Sequence, residues 1–191
     1  GGDNYAVGQL MAQWLLSIVP EGGTLRVLEI QGLPGSTPVV WRHKGMMDSL
    51  QGHPEVQIVA SACGAWFREN ARVVTDSLLT LYPDIDAIVA QNDQMAIGAY
   101  EACNKKSPIT GRFLGRKSPR IMGVDGIVGK GGGVEALLKG EIDMTATYPS
   151  RGDLVIQTAV KILHGEPFER EVVLPTVLID RDAAFPMQQI A

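Results

Sequence analysis

Strand-length apolar runs alternate with amphipathic stretches almost from end to end, and this rhythm limits the fold more than any other feature of the chain. The runs TLRVLEI (24–30), VQIVA (56–60), AIVA (87–90), RIMGV (120–124) and IDMTAT (142–147) are too short for buried helices and read as strands. The segments between them carry helical spacing. Asn4 stands in N-cap position before Val7, Leu10, Met11, Trp14 and Leu15, which recur at helical intervals until Pro20. Further helices are expected over 39–50, 69–81 (apolar Val73, Val74, Leu78 and Leu81), 94–102, 134–139 and 153–164, with a last strand-like run at 172–179. Strands separated by single helices imply right-handed βαβ crossovers, and near-continuous apolar strands imply burial on both faces. The expected fold is therefore α/β, a doubly wound parallel sheet with helices on both faces.

Composition excludes several classes. With 191 residues, 45% apolar and 20% charged, the chain can bury a substantial core and is neither disordered nor fibrous. A net charge of −4 argues against nucleic-acid binding through a basic surface. No window approaches the ~18 apolar residues of a membrane span, and residues 1–4 lack a secretory-signal pattern, which leaves the compartment open. Two cysteines without CxxC spacing and three histidines make a structural zinc site untenable, while one Cys63–Cys103 disulfide stays open. No metal or cofactor is expected. The stretch 105–119, with five basic residues and two Ser-Pro pairs, reads as an exposed insertion. Doubly wound domains open on a strand whereas this chain opens on a helix, so a segment before Asn4 is expected in the parent protein.

In open parallel sheets, ligands bind beyond the carboxyl ends of the strands. That rule selects Trp41, Arg42 and His43 after the first strand, Trp66 and Phe67 after the second, and Gln91, Asn92 and Asp93 after the third. Asp125 follows the fourth, and Tyr148 and Ser150 the fifth. Each has a plainer reading. Trp66 could cap the sheet edge, Arg42 could pair with Asp48 on a helix surface, Asp125 could form a turn, and Asp93 fits the N-cap of the next helix. A guanidinium, a carboxylate, a carboxamide and two aromatic rings at one edge nevertheless suit a polyhydroxylated ligand: the planar groups each bind vicinal hydroxyls, and the rings cover a sugar's C–H face.

Catalytic signatures are lacking. VDGIVGKG departs from a phosphate loop at Val124 and Gly131, and Arg151-Gly152-Asp153 opens a helix. No GxSxG, HExxH or EF-hand pattern occurs, Cys63 has no histidine near it in sequence, and Asp84 and Asp86 fall at the wrong strand end for catalysis. No catalytic residue is expected.

The blocks EIQGLPGSTPVVWRHKG (29–45), DAIVAQNDQMAIGAYEA (86–102), IMGVDG (121–126) and LLKGEIDMTATYPS (137–150) closely resemble the sugar-binding branch of the type I periplasmic binding proteins, the ribose-binding-like family. The likeness covers nearly the whole chain. It implies one lobe of a two-lobed fold: residues 4–147 as the second ligand-binding lobe, 148–172 as a hinge with the helix and strand returning to the first lobe, and 173–191 as a crossover and tail. It implies that Arg42, Asn92 and Asp125 hydrogen-bond a sugar, that Trp66 stacks on its ring, and that Tyr148 replaces a polar residue at the hinge position. It further implies an extracytoplasmic domain that closes on a sugar without chemistry and serves a membrane permease or a membrane-spanning sensor kinase. The stretches GKGGGVEALL, TYPSRGD and VLPTVLIDRDAAFPMQQ are similar to the sensor group of hybrid histidine kinases. An ABC-transporter solute-binding protein, a sensor domain and a LacI-like repressor effector domain all stay open, as does a doubly wound enzyme from outside the family. With a first lobe absent, Val155, Ile156, Val160 and Ile162 would form an exposed apolar patch prone to self-association.

Overall fold

The computed structural model describes residues 1–104 and 118–187. The insertion expected at 105–119 lies, except for its last two residues, outside the described residues. Six strands form one sheet in the order β2-β1-β3-β4-β5-β6. They are β1 (Leu25–Gln31), β2 (Val56–Cys63), β3 (Ala87–Ala90), β4 (Arg120–Asp125), β5 (Met144–Thr147) and β6 (Leu178–Ile179). The first five are mutually parallel, and β6 alone is antiparallel, pairing Thr145 with Ile179 and Ala146 with Leu178. The run 172–179 is thus strand only at its end; its earlier part makes a single bridge, Leu174 to Gly2.

Both faces are covered, as apolar strands require. Val27, Val89 and Val124 face α1 (Asn4–Ser17) and α2 (Thr37–Ser49), packing with Met11, Trp14, Leu15 and Met46. Leu28, Ile88 and Ile121 face α3 (Arg68–Leu81), α4 (Asp93–Cys103), α5 (Gly133–Lys139) and α7 (Arg181–Met187), packing with Ala71, Leu79, Met95, Leu137 and Ala184. The α1–α2 crossing is very close. A Cβ on Gly8 would lie 2.1 Å from the Arg42 carbonyl oxygen, and one on Gly45 2.2 Å from that of Tyr5. No side chain fits between these backbones.

Two local expectations are corrected. α1 is capped by Asp3, whose carboxylate accepts from the amides of Tyr5 and Ala6, so Asn4 begins the helix and its side chain is free for another partner. In α3 half of the expected stripe holds: Val74 and Leu78 pack against the core beside buried Ala71, Thr75 and Leu79, whereas Val73 and Leu81 are 51% and 70% exposed. Cys63 and Cys103, whose pairing the sequence left open, form no disulfide. One other element stands out by its surface. α6 (Gly152–Leu163) buries no residue and exposes Val155, Ile156, Val160, Ile162 and Leu163. A groove of about 670 Å³ runs beside it, lined by Leu154, Val155, Ile162, Val172 and Leu174.

Candidate functional site

The strand order reverses at β1, which has β2 on one side and β3 on the other, so the crevice beyond the carboxyl ends of β1 and β3 is where such a sheet binds ligands. Five side chains gather there. Pro38 in the first turn of α2 presets the backbone for a helix, and one turn later Arg42 points inward rather than out. It is 3% exposed. Trp66 follows β2 on a backbone of positive φ (Ala65 53°, Trp66 70°), which turns the chain sharply before α3. Its indole lies against Gly32, where a Cβ would meet the ring at 2.1 Å. Asn92 follows β3, Asp125 ends β4 at φ 119°, and Tyr148 directly follows β5.

Arg42 is the centre of this group. Its guanidinium carbon lies 4.8 Å from the centre of the Tyr148 ring and 5.9 Å from that of Trp66, within cation–π range of both. Its Nε donates to Asn4 Oδ1 at 2.9 Å, and Nη1 donates to the main-chain carbonyl of Gln91. Asn4 in turn donates through Nδ2 to the Tyr148 hydroxyl at 3.2 Å, so one carboxamide orients both residues. Burial pulls the Arg42 pKa down, and the nearby Asp125 charge opposes it. The plainer alternative, a surface pair with Asp48, does not form: Asp48 accepts from Lys44 and from the Tyr5 hydroxyl instead.

Two carboxylates lie on the far side of the crevice. Burial pushes Asp125 up to about 6 while Arg42 pulls it back. Burial pushes Asp93 further, to about 7, against the lowering effect of the Thr145 hydroxyl at 2.6 Å and with the charge of Asp125 adding to the rise. Asp93 is not the N-cap of α4. That role belongs to Asn92, whose Oδ1 accepts from the Met95 amide at 2.8 Å while its Nδ2 donates to the Trp66 carbonyl at 3.2 Å. Asp93 is instead fully buried, also accepting from the Ile127 amide at 3.3 Å, and so fixes the loop after β4.

Arg42, Trp66, Asn92, Asp125 and Tyr148 are therefore neighbours, joined by ring contacts, hydrogen bonds and charge. Trp66 also packs against the core, so part of its edge-capping reading holds too. Trp41 and Phe67, by contrast, are 46% and 65% exposed, and the Trp41 ring meets that of Tyr5 edge-on. His43 turns to Glu29 at 2.8 Å. Sequence reasoning missed Asn4, which it took for a cap, and Glu29, which it counted within an apolar run. A carboxylate inside TLRVLEI was the available signal. Among the described residues no cluster of three or more metal-ligating side chains occurs. The crevice offers planar hydrogen-bonding groups of both signs beside two aromatic rings, an arrangement that binds vicinal hydroxyls and an apolar ring face together.

Comparison with known proteins gives a consistent result. The chain is 28% identical over 179 residues to the ribose import binding protein RbsB of Escherichia coli, covering 93% of this chain and 56% of the relative. It is 30% identical to the RbsB protein of Haemophilus influenzae, covering 89% and 54% respectively. The chain thus spans about half the length of the curated relatives it matches. Among solved structures, the fructose binding periplasmic domain of a hybrid two component system superposes with a TM-score of 0.88 at 37% identity, over 100% of this chain and 60% of that one. An ABC transporter periplasmic solute binding protein from Actinobacillus succinogenes, solved with D-allose, gives 0.84 at 26% identity, over 97% and 63%. Residues 1–167 match the family described as the periplasmic binding protein domain, and with its parallel-dominated sheet flanked by helices the chain belongs to that family.

Proposed function

We propose that this chain is the second lobe, residues 4–147 with hinge elements to 172, of an extracytoplasmic sugar-binding protein that captures its ligand by lobe closure and catalyses nothing. The observation that carries this reading is the meeting of Arg42, Trp66, Asn92, Asp125 and Tyr148 around one crevice. Arg42 and Asp125 supply donors and acceptors for adjacent hydroxyls, Asn92 keeps one N–H and one lone pair beyond its cap bonds, and Trp66 and Tyr148 bound the ring faces. Contacts made only when a second lobe covers the crevice shift the open–closed balance, and a membrane partner reads the lobe geometry. That partner is a permease or a sensor kinase. The 37% identity with a hybrid two component sensor domain supports the sensor reading, while the ribose import and allose-bound relatives support delivery to a permease.

The test is calorimetric titration of the parent protein with D-ribose, D-fructose and D-allose, in the parent form and as Arg42→Ala. Binding of one sugar that the substitution weakens by roughly tenfold or more supports the reading. No heat with any of the three, or binding indifferent to Arg42, overturns it.

A further inference from the structure

We propose that Glu29 is a positioning residue for Arg42, holding the guanidinium at the crevice from behind; its consequence for ligand affinity rests on the sugar-binding reading above. Glu29 lies on β1 one residue before Ile30, facing the α1–α2 side, and is fully buried. Four side chains from four segments donate to its carboxylate. His43 Nδ1 on α2, Gln31 Nε2 on β1 and Ser61 Oγ on β2 each reach Oε2 at 2.8 Å, and Gln91 Nε2 after β3 reaches Oε1 at 2.9 Å. None of the four is a lysine or arginine, so the carboxylate is held by hydrogen bonds rather than by a fixed countercharge.

Two of these bonds lead to Arg42. Gln91 is itself fully buried; its Nε2 is committed to Glu29 and its Oε1 accepts from the Gly32 amide at 3.3 Å, so its amide group is fixed at both ends. The main-chain carbonyl of that same residue accepts from Arg42 Nη1. The second route is the helix: His43 is the next residue after Arg42, and its bond to Glu29 pins that turn of α2 to the sheet. The carboxylate thus sets both the acceptor that Arg42 addresses and the backbone from which Arg42 departs. A carboxamide in its place must turn an N–H₂ toward one of the four donors and leave a buried donor unpaired.

A merely structural buried carboxylate would lower stability without moving Arg42, and the experiment separates the two. The Arg42 Nε–H, bonded to Asn4, is followed by ¹⁵N-resolved NMR, with its signal assigned through Arg42→Lys, and D-fructose and D-ribose affinities are measured in parallel. Glu29→Gln is expected to speed solvent exchange of that N–H by about tenfold and to weaken sugar binding to a similar extent, the size of one lost buried hydrogen bond. Val27→Ala, buried on the same strand but outside the network, loses stability and leaves the Arg42 signal in place. Gln91→Met cuts the link from its other end and serves if Glu29→Gln does not fold. A folded Glu29→Gln or Gln91→Met protein with unchanged Arg42 exchange overturns the proposal, as does equal loosening by Val27→Ala. If Arg42 loosens while neither sugar binds in any variant, the positioning role stands and the sugar reading falls.

Discussion

Arg42 and Tyr148 face each other across the crevice, guanidinium carbon to ring centre 4.8 Å, and a single carboxamide, that of Asn4, bonds to both. The charged group that would meet a ligand is thereby oriented by a residue at the start of α1 and a ring at the end of β5. Removing it affects both ligand and fold. Arg42→Ala is expected to weaken sugar binding by roughly 10–100-fold, the range for a charged hydrogen-bonding partner, and to lower the melting temperature because Asp125 and the Gln91 carbonyl lose their partner. Calorimetry and thermal unfolding on the same sample check it; unchanged affinity in a folded variant contradicts the expectation.

Stability should fall as pH rises through the acidic range. Asp93 and Asp125 have folded-state values raised to about 7 and about 6, above their ordinary carboxylate value, so the folded chain holds protons that the unfolded chain has already released. Their contribution is complete below the unfolded pKa and is lost as pH climbs through the folded one, at no more than about 1.4 kcal/mol per pH unit for each group. Denaturant midpoints between pH 4 and 7.5 read this directly. Asp93→Asn should flatten the slope, and a slope unaltered by that change counts against the assignment. Sugar affinity should move the other way, dropping below about pH 6 as Asp125 gains its proton.

Asn92 has two separable duties. Asn92→Ala removes the α4 cap and should cost about 1 kcal/mol. Asn92→Asp keeps an acceptor for the Met95 amide but loses the N–H donated to the Trp66 carbonyl, so helix stability should persist while the Trp66 turn loosens. Urea unfolding and indole fluorescence distinguish the pair; equal stability losses would refute this division.

Gly8→Ala should destabilise by roughly 1–3 kcal/mol, since a methyl group there meets the Arg42 backbone carbonyl and neither helix can yield without moving the other. Reduced sugar affinity should accompany it, because the displaced backbone is that of Arg42 itself. Thermal unfolding with parallel titration checks both.

The exposed stripe of α6 predicts concentration-dependent self-association of this chain in isolation. Sedimentation velocity should show it, and the pair Val155→Lys and Ile162→Glu should abolish it. A monomer at millimolar concentration would remove the expectation.

Much of the sheet was readable because short apolar strands buried on two faces have few alternatives. AIVA at 87–90 matched to the residue, and β1, β4 and β5 lay within two residues of their expected limits. What failed was choice between adjacent equivalents. Asp3 and Asn4 are both competent caps, as are Asn92 and Asp93; tertiary partners decided, with Arg42 and Tyr148 drawing Asn4 away and Thr145 drawing Asp93 inward. The stripe of α3 was half legible: Val74 and Leu78 pack inward, but Val73 and Leu81 are apolar yet point outward, while buried Thr75 is not apolar. The run at 172–177 has strand composition, but only its last residue, Val177, reaches β5, bonding to Thr147, and the ladder itself is limited to Leu178 and Ile179. At the crevice, the residue types were visible in sequence; Glu29 was not, because its meaning depends on four donors brought in from separate segments.

Ala65 and Trp66 adopt a left-handed backbone that costs an ordinary residue about 1 kcal/mol or more, and that cost is offset by the packing around them. The height and tilt of the indole are consequently properties of a turn rather than of a side chain. Selection or engineering that aims at a new ligand has an easy route in exchanging one ring for another at this position, and a hard one in shifting the ring along the chain.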